Sequence, residues 1–437
     1  MRTYSKYKDS GVDWIGEIPE GWTVTKVGQM FTSRRETVSD QDYAPLSVTK
    51  GGIVPQLENV AKTDNRDNRL LVRKGDFVIN SRSDRRGSCG FSRFDGSVTQ
   101  ISLVLNPQGI NEIDARYYSW LFSCERFSDE FYRNGHGIVA DLWSTKWSDM
   151  KGIYLPQPPA DSRKQIVAYL DEKMAAIDAA VADIERSIEL LNEYRQSVIS
   201  EAVTKGLDPN APMKDSGIDW IGDIPAHWSI APLKYIVGSI ESGASIDASR
   251  TPAAQGEYGV LTLSSVYQSQ FNPSENKAVA TSDISRLKCP VESGSLLVSR
   301  CNTSEWVGTA AYVNRVTNNL YLPDKIWQLK FETDIRTRWV WYVLRSHPSR
   351  SFFASMSSGA SQTMQNISKN DLLAAPICIP SNNEMKQIVN NLDSRTAQFD
   401  SLIAQKQSLV VRLKEYRSSL ISECVTGKVK VPGVKEA

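Results

Sequence analysis

The chain has 437 residues, too many for one ordinary core, so two or three domains are expected. Apolar residues make up 41% and charged residues 23%, the balance of a folded globular protein rather than a disordered one. Lys plus Arg (51) nearly cancels Asp plus Glu (50), which excludes a uniformly basic nucleic-acid coat but leaves room for local basic patches.

Residues 8–22 read KDSGVDWIGEIPEGW. The Gly and Pro punctuation predicts a turn-rich extended segment rather than a helix. Trp14, Ile15 and Trp22 lie close together in it and are candidates for partner contact, with packing inside the chain as the plainer alternative. The block over 23–160 reads as mixed α and β. Its strand-like runs are 76–80 (DFVIN) and 98–105 (VTQISLVL), and its helix-like stretch is 115–131. Residues 82–93 (RSDRRGSCGFSR) hold Arg82, Arg85, Arg86 and Arg93 against one acid, with Gly87 and Gly90 interleaved. A basic, glycine-punctuated loop after a strand suits phosphate or guanine-edge contacts, although a charge cluster alone is usually a solvated face. A second loop, 134–146, adds His136 and Lys146 as candidate base or phosphate readers.

A long helix is predicted over 163–204. Its apolar residues Leu170, Met174, Ile177, Val181, Ile184, Ile188 and Leu191 follow steps of four and three, the seam of a coiled coil. Gly206 and Pro209 end it. Its net acidic charge makes it a poor DNA surface and a plausible protein-contact surface. Residues 214–228 then read KDSGIDWIGDIPAHW, eleven of fifteen positions identical to 8–22 at an offset of 206. Trp220, Ile221 and Trp228 become matching partner-contact candidates. The block over 229–380 has strand-like runs at 295–299 (SLLVS) and 326–329 (IWQL), and a helix-like stretch at 336–345. Its loop 299–308 matches the basic loop and offers Arg300, Asn302 and Thr303 to base edges. Its loop 357–368 matches 134–146 and offers Gln362, with Ser361 and Gln365.

A second long helix carries Leu392, Phe399, Ile403 and Leu413 on its seam. KQIVAYLD at 164–171 recurs as KQIVNNLD at 386–393, and EYRQSVISEAVTKG at 193–206 recurs as EYRSSLISECVTGK at 415–428, both at an offset of 222. The difference between 222 and 206 is 16 residues of extra length in the second half, ahead of its long helix. Arg195 and Arg417 interrupt the two seams at matching positions, where a polar residue either fixes register or extends its head to solvent.

The chain is therefore two half-copies, each a short frame segment, a divergent block and a long helix. The expected fold class is α+β: a pseudo-twofold duplicated chain with two mixed α/β blocks separated by two long antiparallel coiled-coil helices. A homodimeric coiled coil is the competing arrangement. The expected division is 1–160, 161–208, 209–380 and 381–437. A similar frame with divergent blocks points to related jobs aimed at different targets.

Catalytic signatures are missing from the sequence. There is no Walker A motif, no G-x-G-x-x-G fingerprint and no N-P-P-[YF] or D-P-P-[YF] tetrapeptide. Pro323-Asp324 stands 60 residues from Glu384-Met385-Lys386, too far for a nuclease triad. His136, His227 and His347 are scattered, and the six cysteines form no CxxC pair, so metal sites and disulfides are not expected and the thiols are read as reduced and mostly buried. No apolar run reaches the roughly 18 residues of a membrane span, and the polar start lacks a signal-peptide core, so a cytoplasmic location is expected.

On the twin KDSG-x-DWIG-x-IP stretches, the paired long helices and the order block–helix–block–helix, the chain resembles the specificity subunits of type I restriction-modification systems. Smaller marks are Lys74-Gly75-Asp76 before a strand and the Leu155-Pro156 and Ile379-Pro380 exits before each helix. The resemblance covers nearly the whole length. It implies two target recognition domains, each reading one half of a split double-stranded DNA sequence, with helices that set the unread spacer. It implies no catalysis and no cofactor in this chain. Two modification subunits using S-adenosylmethionine, and restriction subunits using ATP and Mg²⁺, would be the partners, with helices and frame segments docking the former. The alternatives are a coiled-coil scaffold without DNA specificity and a self-contained restriction enzyme.

Overall fold

The structure is a computed structural model that describes residues 3–56, 67–82, 85–137, 143–316, 319–361 and 364–435. Two compact units emerge, residues 1–185 with 408–437 and residues 186–407. The expected division followed chain order; the compact units instead each take in part of both long helices, Ala160–Lys205 and Asn382–Val425.

In the first unit the frame segment is a hairpin, Tyr7–Asp9 against Glu17–Pro19. The extended reading of this stretch holds, and Gly11 and Gly16 supply the positive φ that its turns need. A four-stranded antiparallel sheet follows, in the order Cys89–Phe91, Phe77–Asn80, Ser102–Pro107, Phe31–Arg34. A smaller sheet joins Gly96–Val98, Arg69–Val72 and Thr37–Val38. The run 98–105, expected as one strand, is thus two strands in different sheets, because the turn at 99–101 redirects the chain. The helical stretch 115–131 likewise splits into Glu112–Ser123 and Glu125–Arg133. Cys124 ends the first and caps the second, its Sγ accepting from the Phe127 N–H at 3.5 Å. An aromatic core of Phe31, Phe77, Phe122 and Phe127 joins sheet to helices, with Phe77 and Phe122 rings 4.5 Å apart. The block closes where its incoming strand Thr23–Lys26 pairs with its outgoing strand Tyr154–Gln157.

The second unit repeats this plan. Met213–Asp215 pairs with Asp223–Pro225, the main sheet runs Ala310–Tyr312, Leu296–Ser299, Ile326–Lys330, Ser239–Ser242, and Ser229–Pro232 closes on Pro376–Ile379. Helices Asp334–Arg345 and His347–Met356 stand 222 positions after their counterparts. The offset is 208 at the edge strand starting at Ser239 and 219 at Leu296, so most of the extra length lies between those strands.

Within each unit the two long helices run antiparallel. In the first, Lys414 pairs with Glu185 at 3.1 Å and Arg417 with Asp178 at 3.0 Å. In the second, Arg195 pairs with Asp400, and Tyr194 lies edge-on to Phe399 at 5.5 Å. Both seam arginines expected to interrupt the coil therefore reach an aspartate of the other helix, and the two pairs are related by the 222 offset. Of the expected seam residues, Leu170 and Leu392 are fully buried and Ile177 and Ile403 nearly so, whereas Ile184, Leu191, Phe399 and Leu413 are half-buried. Gly206 ends the first helix at φ +76° against Trp228, and Gly427 follows the second at φ +75° against Pro19 and Trp22. All six cysteines are free, five buried and Cys289 half-buried. No helix among the described residues is long and apolar enough to cross a membrane.

Candidate nucleic-acid interface

The two loops singled out in each block converge. In the first unit, Arg82 forms an antiparallel bridge to Ser144, and Ser144 a second bridge to His136. The His136 N–H donates to the Ser144 carbonyl at 2.9 Å, and the Thr145 N–H donates to the Ser81 carbonyl at 3.0 Å. In the second unit, Cys301 pairs with Asn366, Asn302 with Gln365, and Ser358 with Asn366. There the Ile367 N–H donates to the Arg300 carbonyl at 3.1 Å. Three short extended segments, two of them 222 positions apart in the two units, thus make the same small ladder beyond the end of each main sheet.

The ladder gives the side chains their register. Arg82 stands where Cys301 stands, His136 where Ser358 stands, and Ser144 where Asn366 stands. Arg300 corresponds to Ser81, one step away from the expected match to Arg82. Arg85, Lys146 and Arg300 are exposed, and the His136 side chain is 76% exposed with Nε2 3.8 Å from Asp149.

Four expected readers are placed differently. Arg93 sits beyond the far end of strand Cys89–Phe91, beside the turn at Lys74–Gly75, so the basic run is divided between opposite ends of one hairpin. Arg86 pairs with Asp129 at 2.9 Å and lies over the Tyr132 ring at 5.3 Å, so its charge helps fasten the loop to helix Glu125–Arg133. Asn302 turns inward at 9% exposure, with Oδ1 accepting the Thr303 N–H at 2.8 Å. The Thr303 hydroxyl is buried and has no hydrogen-bond partner among the described residues. Gln362 lies outside the described residues. Sequence reading missed Ser144 and Asn366, the middle rungs of the ladders. The equal spacing of the two loops was the only available signal, since neither residue type is distinctive.

The loops are held from below. The Tyr132 hydroxyl donates to the Asn80 carbonyl at 3.1 Å. In the second unit Arg350, on helix His347–Met356, donates to the Val307 carbonyl at 2.8 Å and to that of Glu305. Gly87 and Gly308 turn the loops at φ +75° and +72°. A Cβ at Gly308 would stand 2.8 Å from the Phe353 ring.

The frame residues do not present the expected contact surface. Ile15, Trp22, Ile221 and Trp228 are core residues, none more than 9% exposed, because each frame hairpin packs its apolar face into its own unit. Trp228 meets Trp339 at 5.8 Å. Trp14 and Trp220 are half-buried. Trp14 donates from Nε1 to the Tyr154 carbonyl at 3.1 Å, and Trp220 stacks on Phe352 at 5.4 Å.

No family model matches the chain. It is 22% identical to the EcoKI type I restriction enzyme specificity subunit of Escherichia coli K12, over 95% of this chain and 90% of that protein. A putative type I restriction enzyme specificity subunit of Methanocaldococcus jannaschii, MjaX, is 22% identical over 95% of this chain and 96% of the relative. The EcoEI specificity subunit of Escherichia coli, also 22% identical, matches partially: 62% of this chain and 46% of that protein. A solved structure described under assembly and conformational transition of the type I R-M system superposes with a TM-score of 0.68 at 16% identity, covering 94% of this chain and 99% of that one. That likeness establishes the shared fold.

Proposed function

We infer that this chain, a type I restriction-modification specificity subunit by its relatives and its fold, reads one split, asymmetric DNA sequence, each unit taking one half. One observation carries the asymmetry: the same ladder bears different side chains, Arg82, Ser144 and His136 in one unit against Cys301, Asn366 and Ser358 in the other. Different donors and acceptors on equivalent frames suit different base edges. Arg85, Lys146 and Arg300 serve as phosphate or base contacts at the loop margins.

The subunit acts as a reader and scaffold in the cytoplasm. The long helices set the unread spacer and dock two modification subunits, with Trp14 and Trp220 the frame residues that retain surface for such contact. S-adenosylmethionine, ATP and Mg²⁺ are bound by the modification and restriction subunits, so chemistry resides there.

The test is methylome sequencing of a host that expresses the chain with its modification subunit, against a control lacking the chain. A new methylated motif with two unequal halves and a fixed gap is the expected result. Arg82→Ala and Arg300→Ala each degrade one half only. A host in which the two proteins copurify but no motif appears favours a scaffold without DNA specificity. Modification or cleavage by the purified chain alone would instead revive a self-contained enzyme.

A further inference from the structure

The second unit holds a cavity of about 630 Å³ where the loop over 305–309, the start of helix His347–Met356 and both long helices meet. Arg195, Arg345 and Arg350 line it, with Gln196, Trp306 and Thr309. Two carboxylates also face it. Asp400 is already engaged by Arg195 and by Gln270, whose Nε2 donates at 3.3 Å, and Glu305 is exposed. Arg350 is spent on the carbonyls of Glu305 and Val307.

Arg345 is different. It is 7% exposed, and no carboxylate or carbonyl among the described residues accepts from its guanidinium. Among the described residues its close contacts are rings, Trp341 at 4.5 Å and Tyr342 at 5.7 Å, while Asp400 and Arg195 act on it through charge without a hydrogen bond. An unpaired buried cation is costly, and it is tolerated where an anion or water can reach it. Burial lowers its pKa to about 10, which leaves it charged at neutral pH. The Thr309 hydroxyl, 2% exposed, also lacks a hydrogen-bond partner among the described residues.

The first unit does not repeat this. The positions 222 residues earlier hold Ser123, Glu125 and Ser128 in place of Arg345, His347 and Arg350. The corresponding groove there is lined by Glu125, Asp129, Glu415 and Glu423, against Arg126 and Lys414. Duplication explains the shared architecture and not the reversed charge.

We propose that this cavity is a phosphate-binding site unique to the second unit, with Arg345 as its principal ligand-binding cation. Trp306 offers a ring beside the anion position, so a nucleoside monophosphate fits the same chemistry as orthophosphate. Glu305, Trp306 and Thr309 belong to the loop that carries Thr303, so occupancy stiffens that loop. The site stands whether or not the chain reads DNA.

The test is calorimetric titration of the full chain with orthophosphate and with AMP, ionic strength held constant with chloride. Saturable binding that chloride does not reproduce is expected. Arg345→Gln should weaken it at least about tenfold, the loss of charge-assisted bonds, while Arg345→Lys retains part of it. Should Arg345→Gln fail to fold, the wild-type comparison of phosphate with chloride decides alone, through thermal melting. Absence of a phosphate-specific heat and of a phosphate-specific rise in Tm overturns the proposal, as does undiminished binding in folded Arg345→Gln. Duplex DNA that displaces bound orthophosphate identifies a DNA phosphodiester as the occupant, and DNA that leaves it in place identifies a free one; either supports the site.

Discussion

Asp76 shows what a single side chain contributes here. It is 2% exposed, accepts both Arg34 Nε at 2.8 Å and Nη2 at 3.1 Å, and accepts the Arg73 N–H at 2.8 Å. The Arg34 pKa is raised, first by the hydrogen bond to Asp76. Removing one partner of such a pair strands the other charge, so Asp76→Ala should destabilise the chain by roughly 2–4 kcal/mol, read by urea denaturation. Lys74-Gly75-Asp76 was visible in the sequence as a mark before a strand, but its partner 42 residues away was not. The thiols give a second prediction. Burial pushes Cys89, Cys378 and Cys424 up to about 12 and Cys124 up to about 11, from an ordinary 9.0. At pH 8 they stay protonated, so iodoacetamide should label the native chain far more slowly than the denatured chain. Because folding raises these pKa values, the stability gained from neutral buried thiols is complete below pH 9 and declines as pH climbs toward 12.

Elements show how local chemistry is bent to a tertiary purpose. The loop turned by Gly308 needs a left-handed residue pressed on Phe353, so Gly308→Ala incurs both backbone strain and a clash. It should lower Tm by several degrees and, on the proposed function, degrade one half of the methylated motif only. Long-helix periodicity was legible because a seam of apolar residues writes itself into the sequence at steps of three and four. The fate of Arg195 and Arg417 was not, since nothing local reveals that each faces Asp400 or Asp178 on the other helix. Asp178→Arg should lower Tm through like-charge repulsion with Arg417. Adding Arg417→Asp should restore most of the loss, while adding Arg195→Asp should not. The pair is partly exposed, so the coupling should be about 0.5–1 kcal/mol, measured by a double-mutant cycle. The splits of 98–105 and 115–131 were missed because apolar continuity hides a turn at 99–101 and a cap at Cys124.

For the whole molecule, the informative feature is that a compact unit is assembled from distant stretches of chain. In the first unit Val431 is 1% and Val434 6% exposed, the Tyr7 hydroxyl donates to the Lys428 carbonyl at 3.1 Å, and the Tyr117 hydroxyl donates to that of Val425 at 2.9 Å. Deleting residues 425–437 should therefore strip hydrogen-exchange protection from helix Glu112–Ser123 and leave helix Asp334–Arg345 protected. By itself, the sequence determined the duplication, the turn-rich extended frame segments and the long helices. Those features are carried by identity at fixed offsets and by apolar period, which survive without knowledge of neighbours. Tertiary structure alone decided which loop residues stand together, because the ladder of Arg82, Ser144 and His136 joins segments about 60 residues apart through backbone hydrogen bonds that any side chain can accompany. It also decided that Trp22 and Trp228 face inward, since an apolar side chain goes wherever its own unit offers area to bury, and sequence does not record which face that is.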